Sequence, residues 1–163
     1  MKQKRKKATN VKRVATDKLS KAEKILLNPQ YMSAKNEFLT LFTLCEITCK
    51  TVIEHYKKLH KNEKSANDIR LDMRTIPHAM QAFNIDIEEH TLTKIFSANN
   101  QRGNKSAKKL RNGIIHALNA EDISEVISRQ EELYEVMNTY LSHFRPPKSD
   151  DIDFEQNKEY QKN

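Results

Sequence analysis

Residues that interrupt helices are scarce in this chain of 163 residues, which contains two glycines, four prolines and no tryptophan. A turn-rich all-β protein needs many glycines and prolines, so their scarcity excludes that class and favours long helices. Cysteine is also rare. Cys45 and Cys49 are four residues apart and would share one face of a helix. We interpret both as small core residues in a reducing compartment, because two further zinc ligands are missing at any recognisable spacing.

Long apolar runs are missing as well. No stretch reaches the length that a membrane-spanning helix requires. The first residues, MKQKRKK, are basic but lack the apolar run that follows in a secretory signal. The sequence therefore predicts a cytoplasmic protein with no membrane partner.

Charge is abundant and unevenly placed. The formal net charge is +7 at neutral pH, which suggests an anionic partner such as RNA, although a soluble protein with basic ends explains the same balance. Residues 1–16 are predicted to be a disordered basic arm, and residues 146–163 a polar acidic tail. The folded domain is predicted between them, over residues 17–145.

The longest predicted helix begins after Ser33 and ends near His60. One apolar stripe follows the helical period and comprises Phe38, Leu41, Phe42, Cys45, Cys49, Val52, Ile53, Tyr56 and Leu59. Leu39, Leu44 and Ile47 are apolar residues outside this stripe. A helix with apolar residues on two sides usually lies at the centre of a domain or is covered by a second chain.

Capping residues and Pro77 delimit the remaining helices. Ser20 with Glu23 forms a capping box, and Ser65, Ser106 and Asn119 precede other helical stretches. These helices are predicted over residues 66–73, 77–83, 86–96, 107–118 and 120–144. The predicted fold class is all-α, an up-down helical bundle of four to five main helices.

The segment KKLRNGIIH carries the polar residues with the clearest chemical use. At about 100° per residue, five apolar residues share the side of a helix that faces the core: Ala107, Leu110, Ile114, Ala117 and Leu118. Asn112 and His116 fall roughly opposite, and Arg111 lies to one side of them. The imidazole is therefore predicted to point away from the core.

Two other residues of this segment suggest that a partner covers the polar face. Gly113 occupies a helix interior, where glycine costs about 1 kcal/mol relative to alanine. We interpret it as a point of close approach by another backbone or a ligand. Ile115 lies on the outer face, where a monomer would leave it in water. A second copy of the chain is the simplest such partner, because it requires no other protein. Gly113 and Ile115 are therefore predicted at a homodimer interface.

The arrangement Arg111-Asn112-(Gly-Ile-Ile)-His116 resembles the Arg-polar-x3-His signature of HEPN domains. The resemblance covers about residues 17–145. It includes the position of the motif, on the second-last core helix of an all-α bundle and followed by one long helix. It implies a homodimer whose two motifs share a cleft, where RNA is cut without a metal ion or other cofactor.

The resemblance also implies catalytic roles. His116 would act on protons, as the base for the 2′-hydroxyl or the acid for the leaving oxygen. Arg111 would hold the scissile phosphate and stabilise the phosphorane, and Asn112 would orient the imidazole or bind the RNA backbone. The motif contributes only one histidine per chain, which is too few for a separate acid and base. This again favours a symmetric dimer.

Residues around the motif extend the predicted site. Four basic residues flank the proposed cleft and are predicted to bind RNA, unless they are only a solvated helix start: Arg102, Lys105, Lys108 and Lys109. Glu46 could pair with Arg111, or could be a structural or exposed carboxylate. Leu118 stands where HEPN toxins silenced by adenylylation carry tyrosine, which argues against that form of control. A neutralising antitoxin protein of another kind is a further candidate partner.

Three functions are compatible with these features. The first is a metal-independent endoribonuclease of the toxin, abortive-infection or phage-defence kind. The second is a non-catalytic HEPN-like module that binds RNA or a partner protein. The third is a helical adaptor with an accidental motif, expected to be a monomer with a hydrated face at Asn112 and His116.

Overall fold

A computed structural model describes residues 28–60, 69–99 and 103–145. Within these ranges the chain forms six α-helices and no β-strand: α1 Pro29–His60, α2 Ile76–Ala82, α3 Glu89–Phe96, α4 Ala107–Ala117, α5 Ala120–Ser128 and α6 Gln130–Ser142. The predicted all-α fold is confirmed. The predicted basic arm and acidic tail, and the caps at Ser20 and Ser65, lie outside the described ranges. None of the six helices is long and apolar enough to cross a membrane.

The central helix α1 starts earlier than predicted. The side chain of Asn28 accepts a hydrogen bond from the backbone N–H of Gln30 at 3.0 Å, so Asn28 is the cap. Ser33 lies inside the helix, and its hydroxyl donates to Glu37 at 3.3 Å. The predicted start at Ser33 is therefore wrong, because the serine hydroxyl bonds a neighbouring side chain instead of free backbone donors.

The hydrophobic core lies between α1 and the helices that pack on it, namely α2, α4, α5 and α6. Phe38, Phe42, Cys45, Cys49 and Ile53 form the buried side of α1, as the predicted stripe requires. Leu59, at the end of that stripe, is 66% exposed and does not belong to the core. Burial raises the pKa of both thiols to about 12, which keeps them protonated and unreactive.

Two predicted helices differ from those observed. Residues 69–75 are not helical; the Asp72 carboxylate accepts the backbone N–H groups of Arg74 and Thr75 and forms a turn before α2. The predicted helix over residues 120–144 is two helices, α5 and α6, separated at Arg129. The motif helix α4 is therefore followed by two short helices, whereas the HEPN resemblance implied one long helix.

The break at Arg129 has a tertiary cause. Its guanidinium donates to the backbone carbonyl of Lys105 at 2.9 Å, to Glu125 at 2.7 Å and to Glu132 at 3.0 Å. These bonds join the start of α4 to the junction of α5 and α6. The packing of α5 against α4 is thereby held in place, and this contact defines the candidate site.

Candidate active site

Helix α4 is capped at both ends. The Ser106 hydroxyl accepts the backbone N–H of Lys109 at 3.3 Å and donates to the carbonyl of Ser97 at 2.6 Å. At the other end Leu118 has a left-handed backbone, with φ of 44°, and its N–H donates to the carbonyl of Ile114 at 3.0 Å. The predicted cap at Ser106 is confirmed. The two caps hold the orientation of the helix that carries the motif.

The motif side chains lie on the solvent side of α4. Leu110 and Ile114 are buried, whereas Asn112 and His116 are exposed. The side chain of Arg111 lies between these extremes and is 31% exposed. The orientation predicted from the helical period is therefore confirmed, except at Ala117, which was predicted on the core side and is exposed at the end of the helix. The catalytic roles of the three residues remain predictions.

Arg111 has two polar partners. Its Nη1 atom donates to Oδ1 of Asn112 at 3.1 Å, and its Nη2 atom lies 3.8 Å from Oε2 of Glu46 on α1. Glu46 has a closer cation, because Nζ of Lys50 lies 2.8 Å from Oε1. The pairing of Glu46 with Arg111 was one of the alternatives that the sequence left open. It is long and partly exposed, so it contributes little to stability and is readily exchanged for another anion.

The imidazole of His116 is available for chemistry. It is exposed, and no hydrogen bond between described residues uses its ring. His116 lies in the last turn of α4, one turn after Asn112, so the two side chains are neighbours on the helix surface. The amide of Asn112 is held by Arg111, and its NH₂ group can therefore present a donor between the guanidinium and the imidazole.

No protein-family model, curated protein or solved structure matches the chain.

The structure explains why position 113 is glycine, which the sequence pattern did not reveal. A Cβ atom at this position would overlap Oδ2 of Asp122 and lie 2.8 Å from its Cγ. Asp122 belongs to the first turn of α5 and is buried in the same chain. The close approach inferred from Gly113 is real, but the approaching group is a side chain of α5. Gly113 is therefore no argument for a dimer interface, and only Ile115, which is 52% exposed, still supports one.

Two of the predicted RNA-binding lysines have structural partners. The ammonium of Lys105 forms an ion pair and hydrogen bond with buried Asp122, which raises the pKa of Lys105. The ammonium of Lys108 donates to the carbonyl of Leu71 at 2.6 Å. Both groups are occupied inside the chain, a use that the sequence did not predict. Lys109 is half-buried, and Arg102 lies outside the described residues, so phosphate binding by these two stays a prediction.

Leu118, the residue at the tyrosine position of adenylylated HEPN toxins, is half-buried against the core. Its left-handed backbone at the end of α4 accompanies this inward packing. Leucine also has no hydroxyl that could accept an adenylyl group.

A concavity of about 670 Å³ lies between α3 and the start of α6, away from the motif residues, which face solvent. Its lining includes Lys94, Arg129 and Glu132. Glu132 lies 3.2 Å from Nζ of Lys94 and 3.0 Å from Nε of Arg129, and these cations lower its pKa. Because these charges neutralise one another, the concavity suits an anionic substrate less well than the face around Arg111 does.

Proposed function

We propose that this chain is a metal-independent endoribonuclease of the toxin, abortive-infection or phage-defence kind. The observation that carries the proposal is the solvent-facing group of Arg111, Asn112 and His116 on a helix whose opposite side is buried. A guanidinium, an amide and an imidazole together can bind a phosphodiester and move protons at it. The HEPN resemblance of the same three residues agrees with this chemistry.

Arg111 can exchange its present carboxylate for a phosphate. Its contact with Glu46 is long, at 3.8 Å, and Glu46 keeps Lys50 at 2.8 Å when the guanidinium leaves. The exchange therefore leaves no unpaired buried charge. A planar guanidinium offers two parallel N–H groups to phosphate oxygens and stabilises the extra negative charge of the phosphorane.

The proposed reaction is transfer within the RNA backbone. A base removes the proton of the 2′-hydroxyl, the 2′-oxygen attacks phosphorus, and the bond to the 5′-oxygen breaks as an acid protonates it. The products are a 2′,3′-cyclic phosphate and a 5′-hydroxyl. His116 supplies one of the two proton-transfer groups, and His116 of a second copy supplies the other.

The second copy would cover Ile115. This side chain lies between Asn112 and His116 in the sequence, on the outer side of α4, and is 52% exposed. Its burial between two copies would bring the two Arg111/His116 faces toward one cleft. Because about half of this side chain is already buried, covering the rest contributes about 1 kcal/mol per copy.

Chelation distinguishes this reaction from metal-assisted hydrolysis. We expect the purified chain to cut single-stranded RNA at an unchanged rate in excess EDTA, because the chemistry uses only protein groups. End analysis of the fragments should give cyclic phosphates and 5′-hydroxyls. RNA binding without any cleavage, measured by mobility shift on the same samples, would instead favour the non-catalytic RNA-binding module.

The dimeric nature of the site can be tested at Ile115. We expect Ile115→Lys to lower cleavage at least about tenfold, because an ammonium opposed by its own copy across a twofold axis costs more than about 1.4 kcal/mol. The matched control is Leu59→Lys, another exposed aliphatic residue, far along α1 from the motif. Equal cleavage by both variants over a range of protein concentrations would show that Ile115 has no part in assembling the site.

A further inference from the structure

The outward side of α1 is unusually apolar for an exposed helix. Leu44 is 47% and Ile47 is 56% exposed, and Thr40 and Thr51 are exposed on the same side. We call these four residues, with Thr43 at one edge, the outer α1 face. At the other edge Thr48 is half-buried, and its hydroxyl lies 3.3 Å from that of the buried Tyr140, so it belongs to the contact between α1 and α6. The outer α1 face contains no charged residue, although 31% of the whole chain is charged.

The threonines of this face present methyl groups instead of hydroxyls. Their Oγ1 atoms donate to the backbone carbonyls four residues earlier, with distances of 2.9 Å from Thr40, 2.7 Å from Thr43 and 2.9 Å from Thr51. Because each hydroxyl is satisfied by the helix itself, the outer surface is hydrocarbon. Threonine is also a weak helix former, at a cost of about 0.5 kcal/mol relative to alanine. A contact that uses the methyl groups would offset this cost.

The spacing of the face is that of a helix that pairs with another helix. Residues 40, 44, 47 and 51 are separated by four, three and four positions, the alternation of an apolar seam between two helices. The seam stops at charged residues, because Glu37 precedes it and Glu54 follows it in the same series. The apolar contact is therefore about three helical turns long.

We propose that the outer α1 face binds the same face of a second copy, with the two α1 helices antiparallel. In a twofold antiparallel pair, two residues lie opposite each other when their sequence numbers add up to a fixed value. A sum of 91 places Thr40 opposite Thr51 and Leu44 opposite Ile47. Each residue then meets its own chemical kind, which is the self-complementarity that a twofold contact requires.

The charges at the ends of the face favour the antiparallel direction. In a parallel pair, Glu37 would meet Glu37 and Lys58 would meet Lys58. In the antiparallel pair, Lys58 lies opposite Ser33, one helical turn from Glu37 of the other copy. The same sum of 91 places Glu37 opposite Glu54 of the other copy at both ends. Lys58 binds Glu54 within its own helix, so each of these carboxylate pairs has a cation beside it. In a parallel pair both Lys58 side chains would lie at the Glu54 pair, and the Glu37 pair would have none.

This contact is different from the one proposed around Ile115. Glu46, which reaches Arg111 on α4, lies more than about 100° around α1 from the centre of the outer α1 face. Pairing through α1 would therefore leave the two motif helices apart. The inference goes beyond the proposed nuclease, and a chain that used both contacts would assemble beyond a dimer.

Light scattering coupled to size-exclusion chromatography tests the contact in the full-length chain. We expect Ile47→Lys to halve the molar mass of the wild-type assembly, because two buried ammonium groups would lie beside the twofold axis. Leu59→Lys, on the same helix but outside the face, should leave the mass unchanged. A wild-type chain that is monomeric and loses thermal stability on Ile47→Lys would show that the chain covers this face itself, and would overturn the proposal.

Cysteine crosslinking tests the direction. We expect the double variant Thr40→Cys/Thr51→Cys to form disulfide-linked dimers under mild oxidation, and the single variant Thr40→Cys to form none. In the antiparallel pair two copies of residue 40 are about 16 Å apart along the axis, too far for a disulfide. Buried Cys45 and Cys49 should not react. Crosslinking of the single variant would overturn the antiparallel arrangement. RNA cleavage does not enter either measurement, so failure of the nuclease proposal leaves these results intact.

Discussion

Replacing His116 with alanine is expected to lower the rate of RNA cleavage by about a thousandfold, because the site loses a proton-transfer group from each half. The side chain is exposed and makes no hydrogen bond to another described residue, so folding should not change. The matched control is His78→Ala, which removes a histidine from the first turn of α2, away from the motif. Initial rates on a labelled RNA, with far-UV circular dichroism of each variant, make the comparison.

A mixing experiment separates a shared site from two independent ones. If two copies contribute one His116 each, an excess of His116→Ala should inhibit wild-type chain by forming mixed dimers of low activity. An excess of His78→Ala should not inhibit. Wild-type rates in His116→Ala, or inhibition of equal size by both variants, would count against His116 as a catalytic residue of a composite site.

Replacing Gly113 with alanine is expected to destabilise the fold by about 3 kcal/mol or more. The added Cβ would overlap the carboxylate of Asp122, which is buried and held by Lys105. Either α4 and α5 separate or the carboxylate loses its partner, and both break contacts inside the core. Urea denaturation followed by circular dichroism measures the loss.

The second glycine of the chain provides the control. Gly103 has φ of +86°, and a Cβ atom added there would meet no atom within 4 Å. Alanine at this position therefore adds backbone strain of about 1–2 kcal/mol and no overlap. The double variant Gly113→Ala/Asp122→Ala removes the obstacle and gains the helix preference of alanine. We expect it to be more stable than Gly113→Ala alone by about 2 kcal/mol. A double variant no more stable than the single one would refute this explanation of the glycine.

Local interactions explain which features can be predicted from the sequence. Ser106 and Asn119 are recognisable as caps because each side chain bonds a backbone N–H within three residues. The orientation of α4 follows from helical periodicity, which by itself places Leu110 inside and His116 outside. Such features depend on neighbours in the chain, and composition and spacing are enough to predict them.

Contacts between distant residues explain the features that the sequence pattern did not predict. Lys108 holds the carbonyl of Leu71 before the turn at residues 72–75, although the two residues are 37 positions apart. The Asp72 bonds that close this turn are local, so aspartate at this position is a signal from which the turn could have been predicted. The break at Arg129 depends on the carbonyl of Lys105, which is 24 positions away. No periodic pattern in the sequence indicates pairs of this kind, so the predicted helices continued through both places.

The amino-acid sequence by itself determined the helical class, the solvent-facing side of the motif helix and the presence of a close approach at Gly113. Only the tertiary structure decided what approaches, because burial of Asp122 beside α4 depends on how α5 folds back. It also decided that Lys105 and Lys108 bind inside the chain while Arg111 keeps a loosely held carboxylate. Helical spacing defines a face, but the partners on that face are chosen by packing between segments far apart in the chain.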